Sequence, residues 1–305
     1  MFLCHSLLEV LAGRGIEDID GFLKVPSWSD LPDPFSIPSM EKAAARVLAG
    51  IRKRERTTIF GDYDCDGILG AHILRSVLNG LDATPRTYLP HRDEGYGLSS
   101  SIVHQFSCSG TDLLIAVDNG INARAAVQLA QRLGIDVVVI DHHRIQEHAE
   151  TTAGWSEEFC GAGLAAMFAW ALALCAGWND ARVERLLSGC SQYAAIASIA
   201  DCVPLLDGTR TLARLGLSEL SRSRHKGMQE LLKSACTDPS QPDSLDVAFG
   251  VAPRINAAGR MAHPAVALAV FEAALDEETA RESVDRLNHL NLDSGARLKA
   301  ECLIA

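Results

Sequence analysis

The chain has 305 residues, 48% of them hydrophobic, and a formal net charge of -11. That is apolar material for one large core or two modest ones, and it excludes a chain dominated by disorder. The acidity argues against phosphate-backbone binding through Lys and Arg alone, except where carboxylates face divalent cations that reverse the local sign.

Nine cysteines, an odd number without a CxxC spacing, read as reduced thiols in a cytoplasmic protein rather than as a disulfide framework or a zinc site. The opening MFLCHSLLEVLAGRG has no basic leading segment and is interrupted by Glu9, which is not the form of a secretory signal. The apolar stretch from Cys160 to Trp178 is rich in Ala and Gly and suits a packed helix better than a membrane span, so no membrane association is expected.

In chain order, residues 1–45 form a helical lead-in with a proline-rich loop (Pro26, Pro32, Pro34, Pro38), and Ser39 is placed to cap the helix that carries Ala43 to Ile51. From Thr57 the pattern changes. Short apolar runs at Thr57–Phe60, Thr84–Leu89, Leu113–Val117 and Val137–Ile140 alternate with amphipathic segments at Ile68–Leu78, Ser100–Phe106 and Ala123–Leu133. This alternation predicts an α/β domain over 46–224, with a Rossmann-like, mostly parallel sheet flanked by helices. After Cys160 the chain reads as successive helices, and residues 225–305 form a helical region that ends within a long helix.

Three of the four runs end in acidic residues. TTIF leads into Asp62, Asp64 and Asp66, LLIAV into Asp118, and VVVI into Asp141, His142 and His143. In open parallel sheets ligands bind outside the carboxyl ends of the strands, so these groups should converge on one crevice. One such Asp is as easily a helix cap or turn former; this many together repel unless cations hold them. The stretch Asp62 to Gly67 also fits the start of a calcium-binding EF-hand loop, but position twelve of that loop is Ile73 rather than Glu, and a β-branched run precedes it instead of a helix.

Carboxylates with imidazole and no thiolate suit Mn2+ or Mg2+, and a pair of such ions bridged by Asp118 would activate a water and clamp phosphoryl oxygens. Asp201, in SIADCVPL, reads on its own as a turn residue or a ligand. Arg92 lies in a glycine-flanked turn, and Arg254, Asn256 and Arg260 lie in APRINAAGRM, whose small residues permit close backbone approach. All four are candidate phosphate contacts, with site support an alternative for Arg254 and an ordinary ion pair an alternative for Arg260. Basic clusters at 52–56 and 222–226 are solvated surface or backbone contacts.

With GDYDCDG, VDNGI, VIDHHR, SIADCVPL and APRINAAGRM in this order, and HRDEGYG between them, the sequence resembles the DHH phosphoesterase superfamily and within it the RecJ single-strand-specific exonucleases. The resemblance implies a DHH domain over 46–224 and two manganese or magnesium ions. Asp64 and Asp118 would hold one ion, and Asp66, Asp118, His142 and Asp201 the other. It further implies that His143 polarises or protonates at the scissile phosphate, that Asp62 and Asp141 support the ligands, and that Arg92 and Arg254 meet substrate phosphate. The implied reaction is stepwise 5′ to 3′ release of mononucleotides from single-stranded DNA, in repair and recombination.

The sequence also departs from that pattern. The segment between His143 and Cys160 is short and lacks the usual proline, so a strand is expected to be missing there; Asn119 replaces a more usual cysteine without consequence. The DHH-associated C-terminal domain and OB-fold of RecJ proteins are expected to be absent, which makes a protein partner a candidate source of the second substrate-binding wall. Two other readings follow from that absence: a phosphoesterase for oligonucleotides or pyrophosphate, and an inactive scaffold.

Overall fold

A computed structural model describes residues 5–146, 151–272 and 276–304. Helices α1 (His5–Gly13) and α2 (Ile19–Leu23) and two single 3-10 turns lead into α3 (Met40–Lys53). Ser39 precedes α3 but makes no side-chain capping bond, because its left-handed backbone (φ 60) is not the extended geometry that aims a hydroxyl at the first-turn amides.

The sheet is built from β1 (Thr57–Phe60), β2 (Arg86–Tyr88), β3 (Leu113–Val117), β4 (Asp136–Asp141) and β5 (Thr152–Trp155), in the order β2-β1-β3-β4-β5, with every pairing parallel. The crossover helices are α4 (Cys65–Gly80), α5 (Ser100–Cys108) and α6 (Arg124–Arg132). Alternation along β3 divides the core. Leu113, Ile115 and Val117 join the side chains of α3 and α4, while Leu114 and Ala116 join those of α5 and α6. Both faces are covered, which is why these strands read as continuous apolar runs.

The strand expected to be missing is present. Thr152–Trp155 pairs with β4 in the register Val139↔Ala153, and the short link leaves room for it because four residues suffice to extend the sheet by one edge. Gly154 brings this edge against α3, where an added Cβ would stand 3.3 Å from the Met40 sulfur.

Beyond the sheet come α7 (Gly161–Cys175), α8 (Asp180–Ala200), α9 (Asp207–Leu220), α10 (Lys226–Ala235), the short α11 (Ser244–Asp246), a π turn (Val247–Val251), α12 (Ala252–Met261), α13 (Ala265–Ala269) and α14 (Glu277–Ile304). Helix α7 is buried nearly throughout, which accounts for its apolar composition, and no described helix is long and apolar enough to cross a membrane. APRINAAGRM is itself helical, as α12.

Helices α8 and α9 approach so closely that a Cβ on Gly216 would lie 2.0 Å from the Ser191 carbonyl oxygen. Since both parties are backbone, Gly216→Ala must separate the helices. Destabilisation of about 1–3 kcal/mol is expected, read as a lower urea midpoint at unchanged slope.

Candidate metal centre

Each carboxylate is placed by the backbone element that ends or begins at it. Asp64 caps α4, its Oδ1 accepting from the Asp66 and Gly67 amides at 3.1 Å each. Asp66, in the first turn of α4, is 2% exposed and accepts from the first amides of α7: Gly161 N at 2.6 Å and Ala162 N at 2.7 Å. Asp118 follows β3 with a left-handed backbone (φ 61), a conformation Asp tolerates better than most residues. Its amide donates to Ile140 of β4, and an added Cβ on Gly161 would stand 2.5 Å from its own, so only glycine lets α7 start this close.

His142 joins these groups. Its Nε2 stands 3.2 Å from Asp118 Oδ1, 3.6 Å from Asp66 Oδ2 and 3.7 Å from Asp201 Oδ2. Asp201 arrives from the C-terminal end of α8, so the helical layer and the sheet contribute to one crevice. Three sets of side chains have ligand atoms within 4.8 Å of one another: Asp62 with Asp64 and Asp118, Asp66 with His142 and Asp201, and Asp118 with His142 and His143. The carboxylates and imidazole predicted at three strand ends are thus brought together, and Asp201 with them. Asp118 and His142 each belong to two of the sets. Asp62 has a ligand atom within 4.8 Å of those of Asp64 and Asp118.

Asp141 has a different part. Its Oδ1 lies 2.7 Å from His143 Nδ1, and its Oδ2 accepts from Ile121 N at 2.9 Å. Burial pushes its pKa up, but the bonds from His143 and Ile121 outweigh that and leave it lowered. The same Asp141 bond raises the pKa of His143. Tyr96 Oη lies 2.8 Å from His143 Nε2 and 3.4 Å from its Nδ1. Sequence reasoning passed over Tyr96; its signal was the pair of glycines around it.

Of the proposed phosphate contacts, Arg92 is exposed, its guanidinium 5.4 Å from the centre of the Tyr63 ring, and Arg260 is exposed at the end of α12. Arg254 instead donates to Asn288 Oδ1 and to the carbonyls of Gly250 and Ser234, a tether within the helical region rather than a phosphate contact in this conformation. Asn256 Oδ1 accepts from Cys65 N at 2.8 Å, and a Cβ on Gly259 would lie 2.1 Å from the Tyr63 carbonyl. Helix α12 therefore clamps the Asp62–Asp66 loop. The close approach expected of its small residues is real, but it is made to the protein's own backbone.

The donor set fits hard divalent ions such as Mn2+ or Mg2+: oxygen-rich, with imidazole and no free thiolate, since burial pushes the Cys65 and Cys160 thiols well above their ordinary range. The carboxylates also need neutralising. Burial, then Asp64, pushes Asp62 up to about 7, and burial, then Asp66, pushes Asp201 up to about 6; Asp118 and Asp64 are raised by the same causes. A raised folded-state carboxyl pKa means that the folded chain holds protons the unfolded chain has already lost, so metal-free stability falls as pH rises from the ordinary aspartate value near ~4 to about 7. Mn2+ replaces those protons. In thermal melts the Mn2+-induced rise in Tm is therefore expected to be larger near neutral pH than near pH ~5; a rise independent of pH would contradict the assignment.

Residues 56–199 match the DHH family, N-terminal domain. The chain is 34% identical over 274 residues to the single-stranded-DNA-specific exonuclease RecJ of Bacillus subtilis (strain 168), covering 85% of this chain and 34% of that protein. It is 31% identical to the protein of the same name from Escherichia coli (strain K12), covering 87% and 49%. It therefore spans about a third of the length of the first and about half of the second. A crystal structure of exonuclease RecJ bound to manganese superimposes with a TM-score of 0.80 at 30% identity, over 89% of this chain and 69% of that one. RecJ from Thermus thermophilus in complex with Mn2+ gives 0.81 at 27% identity, over 95% and 42%.

Proposed function

The chain belongs to the DHH family, within its RecJ group, and from that premise we propose that it is a metal-dependent phosphodiesterase that removes mononucleotides from the 5′ end of single-stranded DNA. The observation that carries this reading is the convergence of Asp64, Asp66, Asp118, His142 and Asp201 on one crevice beyond the strand ends. Asp64 and Asp118 would hold one Mn2+ or Mg2+ ion, and Asp66, Asp118, His142 and Asp201 the other. Bound there, the ions would lower the pKa of a water and offset charge on the phosphoryl oxygens.

The remaining roles belong to the chain's own side chains. Asp64 and Asp66 are fixed by backbone amides, so their free lone pairs are aimed without loss of side-chain freedom on binding. His143, held at Nδ1 by Asp141, serves as a proton donor to the reacting phosphodiester. Arg92 and Arg260, exposed cations, supply attraction for the strand's phosphates on an otherwise acidic chain. A part in DNA repair and recombination, in the cytoplasm, goes with this reading.

The test is Mn2+-dependent nucleotide release from 5′-phosphorylated single strands by wild type and Asp118→Asn, a substitution that keeps the left-handed backbone tolerable. A loss of at least about 100-fold is expected. Equal slow release by both proteins would show that this crevice is not the active site, and faster turnover of a dinucleotide than of a long strand would replace DNA with a small substrate.

A further inference from the structure

Tyr63, inside the Asp62–Asp66 loop, is where two segments far apart in the chain meet. Arg92 lies over its ring, 5.4 Å from the centre, and Gly259 of α12 packs against its carbonyl with no room for a Cβ. The residue before Arg92 is His91, and His263 follows Arg260 by three positions. Their imidazole rings stand 6.2 Å apart, centre to centre, inclined at 46°. The loop that carries the metal carboxylates is thus bordered by two arginines and a pair of histidines.

Each ring is held by one nitrogen. His91 Nδ1 accepts from Asp93 N at 3.3 Å, and His263 Nδ1 accepts from Ala265 N at 3.1 Å. A neutral imidazole that accepts at Nδ1 carries its proton on Nε2, so both rings present an N–H donor. When His91 is protonated, Asp93 Oδ2, 3.3 Å from the same Nδ1, holds the ring and Nε2 remains a donor. Among the described residues no partner takes Nε2 of either ring, and no carboxylate pairs with Arg92 or Arg260. As caps for their turns alone, Ser, Asp or Asn would serve. What imidazole adds is the second nitrogen. A metal ion does not account for the pair, since among the described residues no third ligand atom completes a set with them.

Resting on the phosphodiesterase reading above, we propose that His91 and His263 form a second phosphate site: with Arg92 and Arg260 they hold a phosphate of the single strand other than the one being hydrolysed. A phosphodiester offers only acceptors, and these four side chains offer only donors at their free ends. Contacts of this kind carry no base preference and fix position along the strand. The pair therefore sets register: with one phosphate held beside Tyr63, the scissile phosphodiester lies over the metal carboxylates that flank Tyr63 in the chain.

His91→Asn and His263→Asn test the site, because asparagine keeps a side-chain oxygen to cap each turn while Nε2 is lost. For release of the first nucleotide from a 5′-phosphorylated oligothymidine with Mn2+, each variant is expected to raise KM about 3- to 10-fold and to change kcat by less than about 2-fold. The same measurement is then made on strands that lack one phosphate charge: a 5′-hydroxyl strand, and strands with a methylphosphonate at successive linkages beyond the scissile one. On the strand that lacks the phosphate held by the pair, wild type and both variants should share one KM, and which strand this is tells a terminal phosphate from an internal one. Unchanged KM in both variants overturns the proposal. So does a KM raised by the same factor on every strand, or a loss confined to kcat, either of which would make the imidazoles merely structural. If the variants match a wild type that cleaves the unmodified strand, the phosphate site alone fails; if wild type cleaves no strand, it is the phosphodiesterase reading that fails, and this site with it.

Discussion

Both oxygens of Asp66 are held by the first two amides of α7, and the crevice depends on that contact. Charge-assisted bonds of this kind contribute about 1.5–3 kcal/mol each, and here they join the start of α4 to the start of α7 across the end of the sheet. They also position charge. Five carboxylates in one partly buried space repel one another, and helix N-termini are the backbone's means of offsetting negative charge. Asp64 uses that of its own helix and Asp66 that of its neighbour. Divalent ions have the remainder to neutralise.

The second support comes from far along the chain. Asn256 and Gly259 of α12 fasten the Asp62–Asp66 loop by one hydrogen bond and one backbone contact too close for any side chain, while Arg254 ties α12 back to α14 and to the end of α10. Loop, helix and helical layer thus form one rigid path to Asp64. A site built this way trades conformational freedom for aim.

Strand ends were legible because period-two and crossover patterns are local: β1, β3 and β4 lie where the apolar runs put them, and their acidic termini meet as parallel topology requires. Asp201 was not legible from its neighbours, since its place depends on how α8 packs against the sheet. Nor was α12, because an arginine between small residues looks the same whether its partner is a phosphate or a carbonyl. Strand β5 was missed because four residues at an edge carry too little pattern against a shortened link. Tyr96 needed a contact 47 positions distant to become visible.

Asp118 combines a ligand with a left-handed backbone, and the combination has a genetic consequence. Few residue types occupy that conformation without a cost of about 1–2 kcal/mol, Gly, Asn and Asp being the main ones. Most missense alleles at this codon would therefore damage the turn between β3 and α6 as well as remove a charge, and would present as folding defects. An asparagine allele would separate the two, leaving a well-formed protein that occupies its place in the cell without doing its work.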